Sequence, residues 1–283
     1  LEFLSGHRGG CSTDANTISM TLGPRIDALK TTHTFEPLAE DVWLIHIGTT
    51  DGGSTYGGSA QPSSAHHDSA AAGIALDASR NACVHALAAA IRAASPPWLR
   101  DLTPAYASLG VHFDDTRSDA EQVRAWLQAL CQQPHTADAA AAARVVEIPV
   151  RYGGEYGQDF DALAQVLGLT PERLIALHTA PVYTVAMIGF APGFPYLSGL
   201  DPALAQPRLT TPRTRVPAGS VGIGGAQTGV YPRESPGGWR LIGRTPLTLF
   251  DPRRGPPSLL MAGDRVRFVA IDDAQFARLA AGV

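Results

Sequence analysis

Residues 178–200 read HTAPVYTVAMIGFAPGFPYLSGL, and residues 207–251 read PRLTTPRTRVPAGSVGIGGAQTGVYPRESPGGWRLIGRTPLTLFD. Brief apolar runs alternate here with glycine, proline, aromatics and arginine. Each proline fixes φ and lacks a backbone donor, and each glycine opens angles that other residues avoid. Gly189, Phe190, Pro192, Gly193, Phe194, Pro195 and Tyr196 are therefore expected in a loop that is neither helix nor central strand. Three aromatics in so stiff a loop suggest a rigid wall. Around it, 181–188, 220–223, 228–231, 239–242, 247–250 and 265–271 read as short strands with turn signals between them. That spacing indicates a barrel or a sandwich and does not choose between them.

Just upstream, 145–150 (VVEIPV) reads as a strand and 159–167 as a short helix stopped by Gly168. Thr170-Pro171 suits the next helix start, with Thr as cap and Pro in the first turn. Residues 272–281 read as a closing helix.

The first half has a different texture. Residues 42–47 (VWLIHI) form a strand-like run, and 78–94 carries Val84, Leu87 and Ile91 at helical spacing before Pro96-Pro97. Residues 99–113 read as two strands joined near 107–108. Ser118-Asp119-Ala120-Glu121 is a capping-box pattern that opens a helix running to about Gln132. Strand, helix, two strands, helix is the order of a split βαβ layer. Residues 1–33 read as a disordered extension. Residues 49–73, rich in Gly, Ser and Ala, read as a low-complexity insertion, and the Ala-rich 134–143 as a linker. The expectation is an α+β chain of two domains, at 34–143 and 144–283. GGS at 52–54 and 57–59 and the His66-His67-Asp68 cluster lie in the insertion, which offers no framework to preorganise a site.

Charge supports the division. Residues 144–283 hold 14 Arg against 11 Asp+Glu, a net of +3, while 1–143 hold 8 Lys+Arg against 15 Asp+Glu, a net of −7. An anion site in the second domain follows as an expectation; the excess is too small for nucleic acid. Lys30 is the only lysine. The second domain thus has neither a P-loop lysine nor the lysine of a Ser-Ser-Lys amidase, and with His178 its only histidine and no cysteine, no His- or Cys-built metal site is expected there. No run of about 18 apolar residues exists, so no membrane span is expected. LEFLSGHRGG lacks the layout of a signal peptide. Three cysteines with no CxxC pair fit a reducing cytoplasm.

GFAPGFPYL, the two PR pairs, VPAGSVGIGGAQTGVYP and SPGGWRLIGRTPLTLFD, in that order, resemble the B subunit of bacterial ATP-dependent 5-oxoprolinase. This family is also described as allophanate hydrolase subunit 1 or as sporulation-kinase inhibitors. The resemblance runs from about Thr34 to the C-terminus, apart from the insertion. It implies a ferredoxin-like N-terminal layer and a cyclophilin-like C-terminal β-barrel. It implies cleavage of 5-oxo-L-proline to L-glutamate with ATP and Mg²⁺, in a site completed by the 5-oxoprolinase C subunit, a related barrel; the A subunit is a further partner. Inhibition of a sensor histidine kinase and a role in urea or allophanate metabolism are the alternatives.

Candidate residues follow from both lines. Arg208 and Arg213 match the paired PR motif, and arginine forks suit carboxylate and phosphate. His178 is either a proton carrier at the site's rim or a helix-capping histidine. Phe190, Pro192, Gly193, Phe194 and Tyr196 are expected to wall a pocket. GSVGIGG, with Gly219 and Ser220 at its start, lets the backbone approach either a ligand or another strand. Gln227 and Thr228 offer an amide and a hydroxyl to a lactam.

Overall fold

The computed structural model describes residues 31–49, 78–133 and 144–282. The insertion at 50–73, its GGS repeats and His66, His67 and Asp68, the linker at 134–143 and most of the expected N-terminal extension lie outside the described residues. Residues 31–33 correct that extension: they open a strand.

Seven strands close into a barrel in the order β10-β7-β6-β13-β5-β12-β9. They are β5 (Val145–Tyr152), β6 (Tyr183–Ile188), β7 (Pro195–Ser198), β9 (Ser220–Gly224), β10 (Gln227–Val230), β12 (Arg240–Arg244) and β13 (Arg265–Ala270). Closure removes the free edges that such short strands would expose. Inside, Ile148, Val150, Val185, Leu197, Val221, Ile223, Ile242 and Phe268 form one apolar core. Helices α3 (Phe160–Leu167) and α4 (Pro171–Thr179) add Phe160, Leu163 and Leu174 to it. Their ends are set as the sequence indicates. Gly168 takes φ 64° at the close of α3, and the Thr170 hydroxyl accepts from the Arg173 amide with Pro171 in the first turn. A two-stranded ribbon of β8 (Arg213–Val216) and β11 (Ser235–Gly237) stands beside the barrel, and α5 (Asp273–Ala280) ends the described chain.

A four-stranded antiparallel sheet, ordered β1-β2-β4-β3, comes first in the chain. Its strands are β1 (Thr31–Ala39), β2 (Val42–Thr49), β3 (Leu99–Pro104) and β4 (Ser108–Phe113). β4 lies between β2 and β3, which α1 (Ala78–Ala94) connects, so the split βαβ pattern is present. Trp43, Ile45, Val84, Leu87, Ile91, Leu109, Val111, Val123 and Leu127 make a separate core with α1 and α2 (Ala120–Cys131). Among the described residues, no helix is long and apolar enough to cross a membrane.

Four expectations change. β1 adds a strand that the sequence pattern did not indicate: it is an edge, with alternating half-exposed residues and Pro37, which an edge tolerates. Residues 195–198, read partly as loop, are the strand β7 between β10 and β6, with Pro195 at its first position. Residues 247–250 form no ladder strand; Leu249 is a buried plug, and Phe250 makes one bridge to Ser258. The α2 cap is Asp119 rather than Ser118, its carboxylate accepting from the Gln122 amide at 2.8 Å.

Candidate functional site

The loop before β7 builds a wall. Phe190 has φ 64°, a left-handed conformation that costs an L residue about 1–2 kcal/mol. Gly193 has φ 79°, and a Cβ there would lie 2.8 Å from Cβ of Phe250. The Ala191 carbonyl accepts from the Phe194 amide at 2.9 Å, which folds the loop tightly. As a result Phe194 turns inward, while Phe190 stays 63% exposed. Strained, exposed aromatics held by a rigid loop are a recurrent feature of functional sites.

Trp239 forms the floor. A Cβ at Gly224 would lie 2.6 Å from its ring, and Cβ atoms at Gly222 and Gly229 would lie about as close, at 3.1 and 3.0 Å. The glycines of β9 and β10 are therefore a seat for an indole laid flat against the strands. The close approach that GSVGIGG permits is thus made by a side chain from the chain's own next strand region. Phe194 and Tyr196 meet Trp239 edge-on at 5.6 and 5.8 Å, and Tyr231 meets Phe194 at 5.1 Å. The Arg208 guanidinium lies 5.7 Å over the Trp239 ring.

These residues line one pocket of about 150 Å³, with Phe190, Phe194, Tyr196, Arg208, Tyr231 and Trp239 as its main surfaces. The volume is below that of sites for drug-sized ligands. Arg208 is the only charged residue lining it. Among the described residues it makes no hydrogen bond and no ion pair. Burial raises the Tyr196 and Tyr231 hydroxyl pKa values, so both phenols stay protonated at neutral pH.

Four sequence candidates thus converge: Phe190, Phe194, Tyr196 and Arg208. Gly193 shapes the loop, and Pro192 sits exposed on it. The others lie elsewhere. Arg213 is engaged with Asp159 at 2.6 Å, and the second Asp159 oxygen accepts from the Leu241 amide at 2.6 Å. That group ties β8 to the barrel. Gly219 has φ 79° and fits against the Thr245 carbonyl so closely that a Cβ would clash with it. Ser220 is fully buried at the start of β9. The Gln227 amide donates to the Tyr106 hydroxyl, which belongs to the turn between β3 and β4.

His178 is neither at a rim nor capping its helix. It lies at 0% exposure inside the barrel, in the last turn of α4. Nδ1 is 2.8 Å from the Tyr152 hydroxyl, and Nε2 is 3.0 Å from Oγ1 of Thr228. Thr228 in turn donates to the Gly222 carbonyl at 3.1 Å. The donors run one way: Tyr152 O–H to Nδ1, Nε2–H to Thr228, Thr228 O–H to the carbonyl. This network fixes the neutral Nε2–H tautomer. Desolvation lowers the His178 pKa from 6.5 to about 3. Thr228 is thus a core partner of His178 and not a ligand contact.

Trp239 and Tyr231 were missed by sequence reasoning. The available signal was the spacing of Gly222, Gly224 and Gly229, which marks one glycine-paved face followed by GGW.

The family described as carboxyltransferase domain, subdomain C and D, matches residues 60–260. The B subunit of 5-oxoprolinase from Bacillus subtilis is 45% identical over 206 residues, which cover 69% of this chain and 85% of the relative. The chain belongs to the family of 5-oxoprolinase B subunits. The B subunit of 5-oxoprolinase from Haemophilus influenzae is 61% identical over 126 residues, 44% of this chain and 59% of that protein. The crystal structure of TTHA0988 superposes with a TM-score of 0.61 at 43% identity, covering 71% of this chain and 39% of that one. The chain thus spans most of one such family member and a minor part of the longer TTHA0988 chain. Membership of this family places it in an enzyme assembly with other subunits.

Proposed function

We propose that this chain is the B subunit of an ATP-dependent 5-oxoprolinase and supplies one side of a composite hydrolase site. The observation that carries this reading is the aromatic pocket with the unpaired Arg208 at its surface, in a chain of this family. A lactam carbonyl is a poor electrophile. Phosphorylating its oxygen makes the carbon open to water, and that step needs charge stabilisation by basic groups and usually Mg²⁺. Among the described residues no three His, Cys, Asp or Glu side chains converge into a metal site. The described part of this chain therefore does not fit Mg²⁺, and no step is assigned here to the metal. In this reading the metal and nucleotide sites are completed by the C subunit of the enzyme, its A subunit is a second partner, and the assembly works in the cytoplasm. Arg208 and the aromatic walls bind and orient the substrate, while His178 and Arg213 hold the barrel. The fold is read as two domains: a ferredoxin-like layer, and a barrel of cyclophilin-like type.

The test is 5-oxoproline-dependent ATP hydrolysis by this chain alone and with the purified A and C subunits. Turnover only in the mixture, lost on Arg208→Ala with the circular dichroism unchanged, supports the proposal. A stable complex that never hydrolyses ATP in response to 5-oxoproline overturns it.

A further inference from the structure

We infer that the pocket on this chain is a subsite for a small, flat monoanion whose carboxylate pairs with Arg208, and that nucleotide phosphates bind outside it. The inference rests on the hydrolase reading and deepens it. The first support is charge. One cation lines the pocket, and no acidic residue does. The neighbouring arginines are already engaged: Arg213 with Asp159, Arg215 with Glu234 at 2.9 Å, and Arg240 with the Pro207 carbonyl at 3.1 Å. Arg208 alone of this group lacks a polar partner among the described residues. A triphosphate carries several charges and is usually clamped by several basic groups. A single fork matches a single carboxylate.

The second support is geometry. Stacking on Trp239 holds the guanidinium plane and leaves its donor edge free. The pocket interior presents aromatic surfaces from Phe194, Tyr196, Tyr231 and Trp239, whose faces carry negative quadrupole charge. A carboxylate is repelled from those faces, whereas a flat ring packs on them. The orientation follows: ring inward, carboxylate outward to Arg208. The third support is available donors. The Tyr196 hydroxyl makes no hydrogen bond among the described residues, so it is free to meet an amide of the ring. The volume of about 150 Å³ admits one small ring and excludes a nucleoside.

The experiment uses the full chain in ligand-detected NMR titrations with 5-oxoproline, with its uncharged analogue 5-oxoprolinamide, and with ATP as competitor. The expected result is binding of 5-oxoproline at least about tenfold tighter than of the amide, because a charge-assisted pair is lost. ATP should not displace it. Arg208→Gln should remove the preference for the acid, with the circular dichroism unchanged. Equal binding of acid and amide, displacement by ATP, no binding of 5-oxoproline, or an Arg208→Gln variant that keeps its preference each overturn the inference. Its failure is separable from that of the hydrolase reading. If the complex with the A and C subunits turns over but Arg208→Gln leaves the KM for 5-oxoproline unchanged, the hydrolase reading stands and this inference falls. If the complex is inactive while the chain still discriminates acid from amide, the carboxylate subsite stands and the hydrolase reading falls.

Discussion

Lowering the pH below 6.5 is expected to destabilise the barrel through His178. The native ring accepts from Tyr152 at Nδ1 and donates to Thr228 from Nε2, with Tyr183 and Phe268 packed 5.6 and 4.6 Å from it. An added proton has no acceptor: Nδ1 would become a donor facing a hydroxyl that already points at it. Desolvation accordingly lowers the pKa from 6.5 to about 3. The unfolded chain therefore takes up a proton that the native state refuses. Stability is unaffected above about pH 7, falls as the pH drops below 6.5, and goes on falling to about pH 3. One proton corresponds to about 1.4 kcal/mol per pH unit, so the loss between pH 8 and pH 5 is about 2 kcal/mol. His178→Gln keeps a donor and an acceptor but cannot titrate. It should lower stability by a fixed amount at every pH and reduce the pH-dependent loss by about 2 kcal/mol. His85, whose pKa burial also lowers, is present in both proteins and cancels in the comparison. The assay is urea unfolding at pH 8 and pH 5, read by pulse hydrogen exchange in peptides of β9 and β10. Parallel pH dependence in the two proteins would refute the reasoning.

Three further outcomes are expected. Gly224→Ala places a methyl 2.6 Å from the Trp239 ring and should cost about 1–3 kcal/mol in thermal unfolding while weakening 5-oxoproline binding, since the pocket floor must lift. Phe190→Gly should be about 1 kcal/mol more stable than Phe190→Ala, because only glycine relieves the positive φ; both should bind ligand more weakly than the parent chain, as NMR titration would show. Tyr106→Ala removes a ring that meets Tyr196 edge-on at 6.1 Å and should reduce affinity for 5-oxoproline in the same titration, whereas Tyr106→Phe, which loses only the bond from Gln227, should retain most of it.

Local chemistry made the helices legible. Thr170-Pro171 and Gly168 act within their own turns, so sequence and structure agree there to the residue. Most barrel strands were legible for the related reason that their apolar runs are bounded by glycine and proline. Strands whose partners lie far along the chain were not. β1 has only Phe35 as a large residue on its partly covered face, and β8 and β11 are too short to show a period. The pocket shows the same division. Phe190, Phe194 and Arg208 stand in conspicuous motifs. Trp239 takes its place only because β9 and β10 run beside it, a relation no local window contains. His178 shows the opposite hazard. A lone histidine looks reactive in a list of residues, yet Tyr152 and Thr228, 26 and 50 residues away, turn it into core.

The first sheet has a physical connection to the pocket. The Asn81 amide donates to the Ala105 carbonyl at 3.1 Å, the Tyr106 carbonyl at 3.3 Å and the Ala186 carbonyl of β6 at 3.2 Å. One buried side chain thus fixes the β3–β4 turn and joins it to the barrel. That turn carries Tyr106, which packs against Tyr196 on one side and takes the Gln227 bond on another. Tyr196 is part of the pocket wall, between strands β10 and β6 that hold it from either side. The polar groups in this joint are satisfied, and a joint with satisfied polar groups resists sliding more than an apolar contact of the same size. The pocket aromatics therefore keep their positions before any ligand arrives, and binding does not have to order them. This also accounts for the placement of strain. Phe190 holds an unfavourable φ, and it does so on a loop backed by Phe194, Tyr231 and the glycine-seated Trp239. A rigid backing is what allows a strained, exposed ring to remain at the mouth of a pocket instead of relaxing into the core.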